Sequence, residues 1–332
     1  MKDASIRVLD MHTGGEPVRI VTDGYPPILG DTILAKRRYA REHLDHLRKL
    51  LMFEPRGHYD MYGVLMVEPT LPGADLAVLF MHNEGYSTMC GHATIAMGRY
   101  AVDHGLVART EPVTRVGIEC PCGLVNAYVD ARDGSVRFDS VPAFLLAEQL
   151  RVAVPGTGPV VADVSYGGAF YALADAAQFG LDVRRSRTRD LVDAATALSQ
   201  AVNEAIRVEH PLEPDLSFLY GSILTDGRER PDDGVSANIC VFANAEVDRS
   251  PTGSGVTARM AARFQRGLVG QGQRCEFESV TGSRFTGEVV GAGACGDRPA
   301  VTVRVGGKSH YTGEARYWLE EGDEIGKGFL LR

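Results

Sequence analysis

No stretch of this sequence approaches the roughly 20 consecutive apolar residues that a membrane-spanning helix needs, so a helical membrane protein is excluded. The opening residues, MKDASIRVLD, contain no apolar run of the signal-peptide type, so secretion is not expected. Cysteine is sparse: six in 332 residues, at positions 90, 120, 122, 240, 275 and 295. That number in a chain this long is no small-domain disulfide framework, and a reducing cytoplasm is the expected compartment. An excess of positive charge is also missing. Lys and Arg total 35 against 43 Asp and Glu, a net charge of −8 at pH 7, which argues against a nucleic-acid partner.

Several motifs are absent as well. No Walker sequence, no G-x-S-x-G and no H-E-x-x-H appears. Cys120-Pro-Cys122 has the wrong spacing for a zinc hook and no partner pair, so no metal is expected. Gly253-x-Gly255-x-x-Ala258 fits the dinucleotide fingerprint in letters. That fingerprint must follow its strand at once, whereas AEVDRSP separates it from the strand-like NICVFAN. No cofactor is therefore expected.

What remains is an ordinary globular composition, 44% hydrophobic and 23% charged, in a chain longer than one core usually serves. Short Val-, Leu- and Phe-rich runs bounded by Gly, Pro or Asp predict strands at 61–69, 74–82, 123–130, 135–142, 216–225, 235–244, 287–292 and 300–305. Helical spacing of apolar residues predicts helices over 32–52 and 188–207. His43 and His46 fall on the polar side of the first and are expected to be solvated. AVPGTGP (153–159) is the linker candidate. It predicts a first half at 1–155, a second at 156–318, and a segment 319–332 that returns to the first.

The chemistry concentrates in STMCGHATIAMGR (87–99) and DRSPTGSGVTARMA (248–261). Cys90-Gly91-His92 aligns with Thr252-Gly253-Ser254, and Ala96 with Ala258. Each stretch leads into a helix-like segment, which suggests an internal repeat with a cleft between two similar halves. A helix starting at Gly91 aims backbone N–H groups and the positive dipole end at Cys90, conditions that favour a thiolate. The plain alternative is a buried, inert thiol. His92 is either a satisfied core residue or a group that polarises the thiol. Gly253 and Ser254 offer a second anion site of the same type. Asp248 is either a turn residue or an acceptor for an ammonium group. His12, in HTGGEP, sits beside an expected turn and either lines a site or packs.

With DMHTGGEPVRI (10–20) added, these stretches resemble the proline racemase family over essentially the whole chain. The resemblance implies an α/β (α+β) fold like diaminopimelate epimerase, two pseudo-symmetric halves each with a curved sheet around a central helix and the active site in the cleft between them. It maps a catalytic Cys onto Cys90, carboxylate-binding backbone pairs onto Gly91-His92 and Gly253-Ser254, and the substrate-amine Asp onto Asp248. The family's second catalytic Cys is Thr252 here.

That departure governs the expected activity. Inversion at Cα needs an acid/base group on each face of the carbon, and a Thr hydroxyl is a far weaker acid than a thiol. The subgroup with Thr at this position resembles trans-3-hydroxy-L-proline dehydratase. In that substrate the Cα hydrogen and the 3-hydroxyl share one ring face, so a single Cys can serve both. The alternatives are a hydroxyproline epimerase, a proline racemase, or a silent amino-acid-binding protein. The expected partner is this small substrate alone, without nucleic acid or membrane. A homodimer is compatible with the sequence, which does not fix the oligomeric state.

Overall fold

The computed structural model describes residues 5–331. The chain divides into two compact units, residues 1–136 with 308–332, and residues 137–307.

In the first unit, strands Ile6–Thr13 and Glu16–Asp23 form a hairpin. Its turn is Gly14-Gly15, with φ of 64° and 91°, the doubly left-handed geometry that a two-residue hairpin favours and side chains resist. Strand Ser309–Tyr317 lies antiparallel along Ile6–Thr13, and Tyr317 and Leu319 pack against the core cluster of this unit. Helices α1 (Ile33–His43) and α2 (Asp45–Met52) carry the chain over to Gly63–Val67, parallel to Glu16–Asp23. Strand Leu76–Met81, wholly buried, and the two-residue Tyr86–Ser87 follow antiparallel. Helix α3 (Gly91–Asp103) comes next, buried along most of its length. Strand Val113–Cys120 then pairs parallel to Leu76–Met81 and antiparallel to Gly123–Asp130.

The second unit repeats this order. A hairpin of Gly158–Tyr166 and Phe170–Asp175, flanked by Phe144–Val154, leads through helix α4 (Thr188–Ala205) to Leu219–Thr225, parallel to Phe170–Asp175. Strands Ser236–Phe242 and Glu246–Asp248 follow antiparallel. Then comes α5 (Gly253–Gln265), as long as α3 and as deeply buried. Arg274–Glu278 pairs parallel to Ser236–Phe242, and Arg284–Cys295 and Arg298–Gly307 close the unit antiparallel. Helices α3 and α5 are each buried along most of their length, as helices inside a fold are, although α5 also buries Arg259 and Arg263.

Two expectations need correction. The helix expected over 32–52 breaks at Leu44, whose N–H closes α1 on the Ala40 carbonyl. Asp45 opens α2, where its charge suits the helix start and pairs with buried Arg48. Arg48 donates onward to the carbonyls of His82 and Asn83, which fixes the direction of α2. AVPGTGP is not a linker. It is the turn between Phe144–Val154 and Gly158–Tyr166, where Gly158 pairs with Val154, and it lies inside the second unit. Gly and Pro mark hairpin turns as readily as linkers.

His82 is buried under Arg48 and Arg37, and desolvation with their charges pushes its imidazole down to about 3. Among the described residues, no helix is long and apolar enough to cross a membrane.

Candidate active site

Cys90 is the N-cap of α3, in extended backbone (φ −144°, ψ 108°). Its Sγ accepts the Ala93 N–H at 3.3 Å and lies 3.1 Å from Nδ1 of His92. The helical ladder begins when Thr94 N–H reaches the Cys90 carbonyl, so the Gly91 N–H has no place in it. The hydroxyl of Thr94 holds the same carbonyl at 2.8 Å. His92 is buried, edge-on to the Tyr62 ring with centroids 4.8 Å apart. Thr13, at the end of the first hairpin strand, donates to the His92 carbonyl at 2.9 Å. The first turn of α3 is therefore held from both sides.

Three thiols lie in this unit, in different circumstances. Burial pushes Cys120 well up, and neighbouring Cys122 and Cys90 add to the effect. Burial likewise raises Cys122 to about 12. Both are protonated at neutral pH and poor nucleophiles. Cys90 differs from them in its surroundings: a backbone N–H and an imidazole lie on its sulfur, at the start of a helix. His12 packs: its ring stacks on His310 at 5.3 Å and its Nδ1 takes the Gly15 N–H.

In the second unit, Asp248 is buried at the end of its short strand and accepts the Ser250 N–H at 2.7 Å. The Ser250 hydroxyl in turn accepts the Thr252 N–H at 3.1 Å. Thr252 opens α5 with φ +66° and ψ 95°, a left-handed conformation that is a real outlier for a β-branched residue. The turns at Cys90 and Thr252 thus share a helix start but not a cap geometry. The Thr252 side chain does not cap, and its Oγ1 is buried with no hydrogen-bond partner among the described residues. Gly253 and Ser254 precede the first ladder bond, from Val256 N–H to the Thr252 carbonyl. The Ser254 hydroxyl is fixed by Tyr171 at 2.7 Å. Gly167 lies directly on this turn. A Cβ there would come within 2.2 Å of the Ser254 carbonyl and 2.6 Å of the Ala258 nitrogen, so only glycine lets α5 sit where it does.

The structure thus groups Cys90, Gly91 and His92 at the start of α3, and Asp248, Thr252, Gly253 and Ser254 at the start of α5. The sequence reading missed the supports Thr13, Tyr62, Ser250 and Tyr171. Thr13 and Ser250 stand inside the singled-out stretches, whereas Tyr62 and Tyr171 carry no local signal. The fingerprint glycines Gly253 and Gly255 lie inside α5; the stretch expected to separate them from a strand itself contains the short strand Glu246–Asp248, so only residues 249–252 intervene. Among the described residues, no group of three or more His, Cys, Asp or Glu could hold a metal.

Known proteins resemble this chain over nearly its whole length. The family described as proline racemase matches residues 8–330. A protein of Pongo abelii named trans-L-3-hydroxyproline dehydratase is 56% identical over 335 residues, covering 98% of this chain and 95% of its own. One from Burkholderia multivorans named 3-hydroxyproline 2-epimerase is 45% identical over 331 residues, 99% of this chain and 98% of its own. A solved hydroxyproline epimerase from Agrobacterium vitis, with bound trans-4-hydroxy-L-proline, superposes with a TM-score of 0.92 at 30% identity, over 99% of this chain and 96% of its own. The fold is the diaminopimelate epimerase-like one. A Cys at one helix start, a repeated helix start half a chain later and a match over nearly every residue leave one conclusion: this chain belongs to the proline racemase family.

Proposed function

We propose that the chain is a cofactor-independent trans-3-hydroxy-L-proline dehydratase in which Cys90 is the single acid/base residue. The observation that carries this reading is the contrast between the two helix starts. One bears a thiol with an imidazole 3.1 Å away and a backbone N–H on its sulfur. The other bears a hydroxyl with no hydrogen-bond partner among the described residues. Such a pair supports chemistry from one face of Cα and not inversion through both.

The Cys90 thiolate takes the Cα proton. Electrons of that C–H bond form the Cα–Cβ double bond, and the C3–O bond breaks. The Cys90 thiol returns its proton to the departing hydroxide, so water leaves and the thiolate is restored. The enamine then tautomerises to 1-pyrroline-2-carboxylate. Negative charge gathers on the carboxylate as the proton leaves, and preorganised N–H donors are worth most where charge develops. Gly91, His92, Gly253 and Ser254 are assigned to that carboxylate and Asp248 to the ring ammonium.

The second reading is epimerisation, favoured by the name of the Burkholderia multivorans relative. A substrate panel decides between the two. Trans-3-hydroxy-L-proline, trans-4-hydroxy-L-proline and L-proline are each incubated with the enzyme, and pyrroline formation and Cα inversion are scored together. Pyrroline from the first substrate without inversion of the others is expected. Inversion as the main outcome overturns the proposal.

A further inference from the structure

Helix α5 carries two arginines that the proposed chemistry does not use. Arg259 and Arg263, one turn apart, are only 3% and 4% exposed. Burying a guanidinium costs several kcal/mol unless a carboxylate or equivalent acceptors replace its water. Neither arginine has an ion pair with a carboxylate among the described residues. Arg259 donates to the Asn238 side-chain oxygen at 2.9 Å and to the Ser236 hydroxyl at 2.6 Å. Arg263 donates to the Arg228 carbonyl and, at 3.3 Å, to the same Ser236 hydroxyl, with the Cys275 sulfur as a further, weak partner. Both guanidinium groups lie against the Phe277 ring, 4.8 and 5.0 Å from its centroid.

Each guanidinium has five N–H donors, and these acceptors fall short of them. The Ser236 hydroxyl donates a hydrogen bond to Asp226, but Asp226 is already paired with Arg184 and Arg228. Burial and the nearness of the two cations push Arg259 well down, and burial pushes Arg263 down. Both arginines line a cavity of about 360 Å³ in the second unit. The carboxylates of Asp163 and Glu229, also on its wall, are taken up by Arg266 at 3.2 and 2.9 Å. Asp175, on the wall as well, accepts the Ala177 N–H. These acids limit the occupant to something small that keeps to the arginine side.

We propose that this cavity binds a small oxyanion, a phosphate or a short carboxylate, on the Arg259 and Arg263 guanidinium groups. The site is separate from the residues assigned to substrate, which lie at the other end of α5. Asp226 and Glu229 lie near enough to offset part of the two positive charges; the anion, bound directly, adds to that countercharge and holds the helix whose first turn carries Thr252, Gly253 and Ser254.

Val161 lines the cavity and is 38% exposed, so it accepts a charge without disturbing the core. Inorganic phosphate and, separately, malonate are titrated calorimetrically into the whole protein. The buffer is chloride of matched ionic strength, and saturating pyrrole-2-carboxylate keeps the anion out of the proposed active site. Saturable binding of at least one anion is expected, and the tighter of the two identifies the class of the natural ligand. Val161→Glu should weaken it roughly fivefold and Val161→Lys should strengthen it, as a single charge at the rim of a half-buried site would. Arg263→Met should abolish it. No saturable heat with either anion overturns the proposal. So does binding that pyrrole-2-carboxylate displaces, or binding to which both Val161 variants are indifferent.

Discussion

The Sγ of Cys90 lies 3.1 Å from Nδ1 of His92, with both residues buried at the first turn of α3. Two residues apart on the chain, they face each other because Cys90 is still extended when Gly91 begins the helix. The contact joins a thiol to the imidazole that can share its proton, and the Ala93 N–H holds the sulfur in place.

Cys90→Ser should leave the protein folded and lower dehydration by at least a thousandfold, since serine keeps the cap but loses the acidic proton. The measurement is pyrroline formation from trans-3-hydroxy-L-proline, with circular dichroism as the folding control. Turnover within tenfold of wild type would remove Cys90 from its assigned role. Iodoacetate should alkylate Cys90 ahead of Cys120 and Cys122, whose thiols burial holds protonated. Pyrrole-2-carboxylate should protect it, with peptide mass spectrometry as the readout.

Asp248 has two duties to separate, because its Oδ1 also accepts the Ser250 N–H. Asp248→Asn keeps an acceptor for the turn and removes the charge. Loss of a charge-assisted hydrogen bond costs about 1.5–3 kcal/mol, so affinity for a proline-like inhibitor should fall roughly tenfold or more. Unchanged affinity in Asp248→Asn with a loss of stability in Asp248→Ala would make it a turn residue only.

Thr252→Cys should gain measurable Cα inversion on L-proline or 4-hydroxyproline, followed by chiral chromatography and by exchange of the Cα hydrogen in heavy water. The gain depends on the placement and acidity of the new thiol. Wild type should exchange the Cα hydrogen only with retention, because Cys90 returns a proton to the face it came from. Racemisation by wild type contradicts one-sided chemistry.

Thr252→Val tests the hydroxyl itself. Its Oγ1 is buried without a hydrogen-bond partner among the described residues, and such a group costs about 1–3 kcal/mol. The nearly isosteric valine keeps the branched shape at φ +66°, so the denaturation midpoint should rise while dehydration persists. If dehydration disappears and inhibitor binding stays, Thr252 takes part in the chemistry.

His82 makes stability depend on pH. Its imidazole, pushed down to about 3 in the folded protein, returns to about 6.5 when unfolded. Between those values the unfolded chain binds the extra proton, so stability is full above pH 6.5 and declines as pH falls toward 3. The slope approaches about 1.4 kcal/mol per pH unit. Urea denaturation from pH 7 to 4 should show it, and His82→Gln should flatten it.

Much of this protein was legible before any coordinates. Strands expected at 74–82 and 235–244 are Leu76–Met81 and Ser236–Phe242, each buried at every position, because a short, bounded apolar run has few other places to go. The aligned Gly91 and Gly253 both start buried helices, and the Ala-rich runs that follow them are good helix formers. Strand Ser309–Tyr317 was missed. It is polar and mostly exposed, and its partner Ile6–Thr13 lies some three hundred residues away in sequence. Pairing over that distance leaves no local pattern.

The sequence by itself determined that one helix start carries a thiol and the other a hydroxyl, and with that the asymmetry of the chemistry. Tertiary structure alone decided that Cys90 caps its helix from extended backbone while Thr252 is held left-handed, its hydroxyl unpartnered. The physical reason is that a backbone torsion of this kind is set by what surrounds the turn. The Ser250 hydroxyl on the Thr252 nitrogen, Tyr171 on Ser254, and Gly167 under the first turn of α5 impose a conformation that threonine would not adopt unaided.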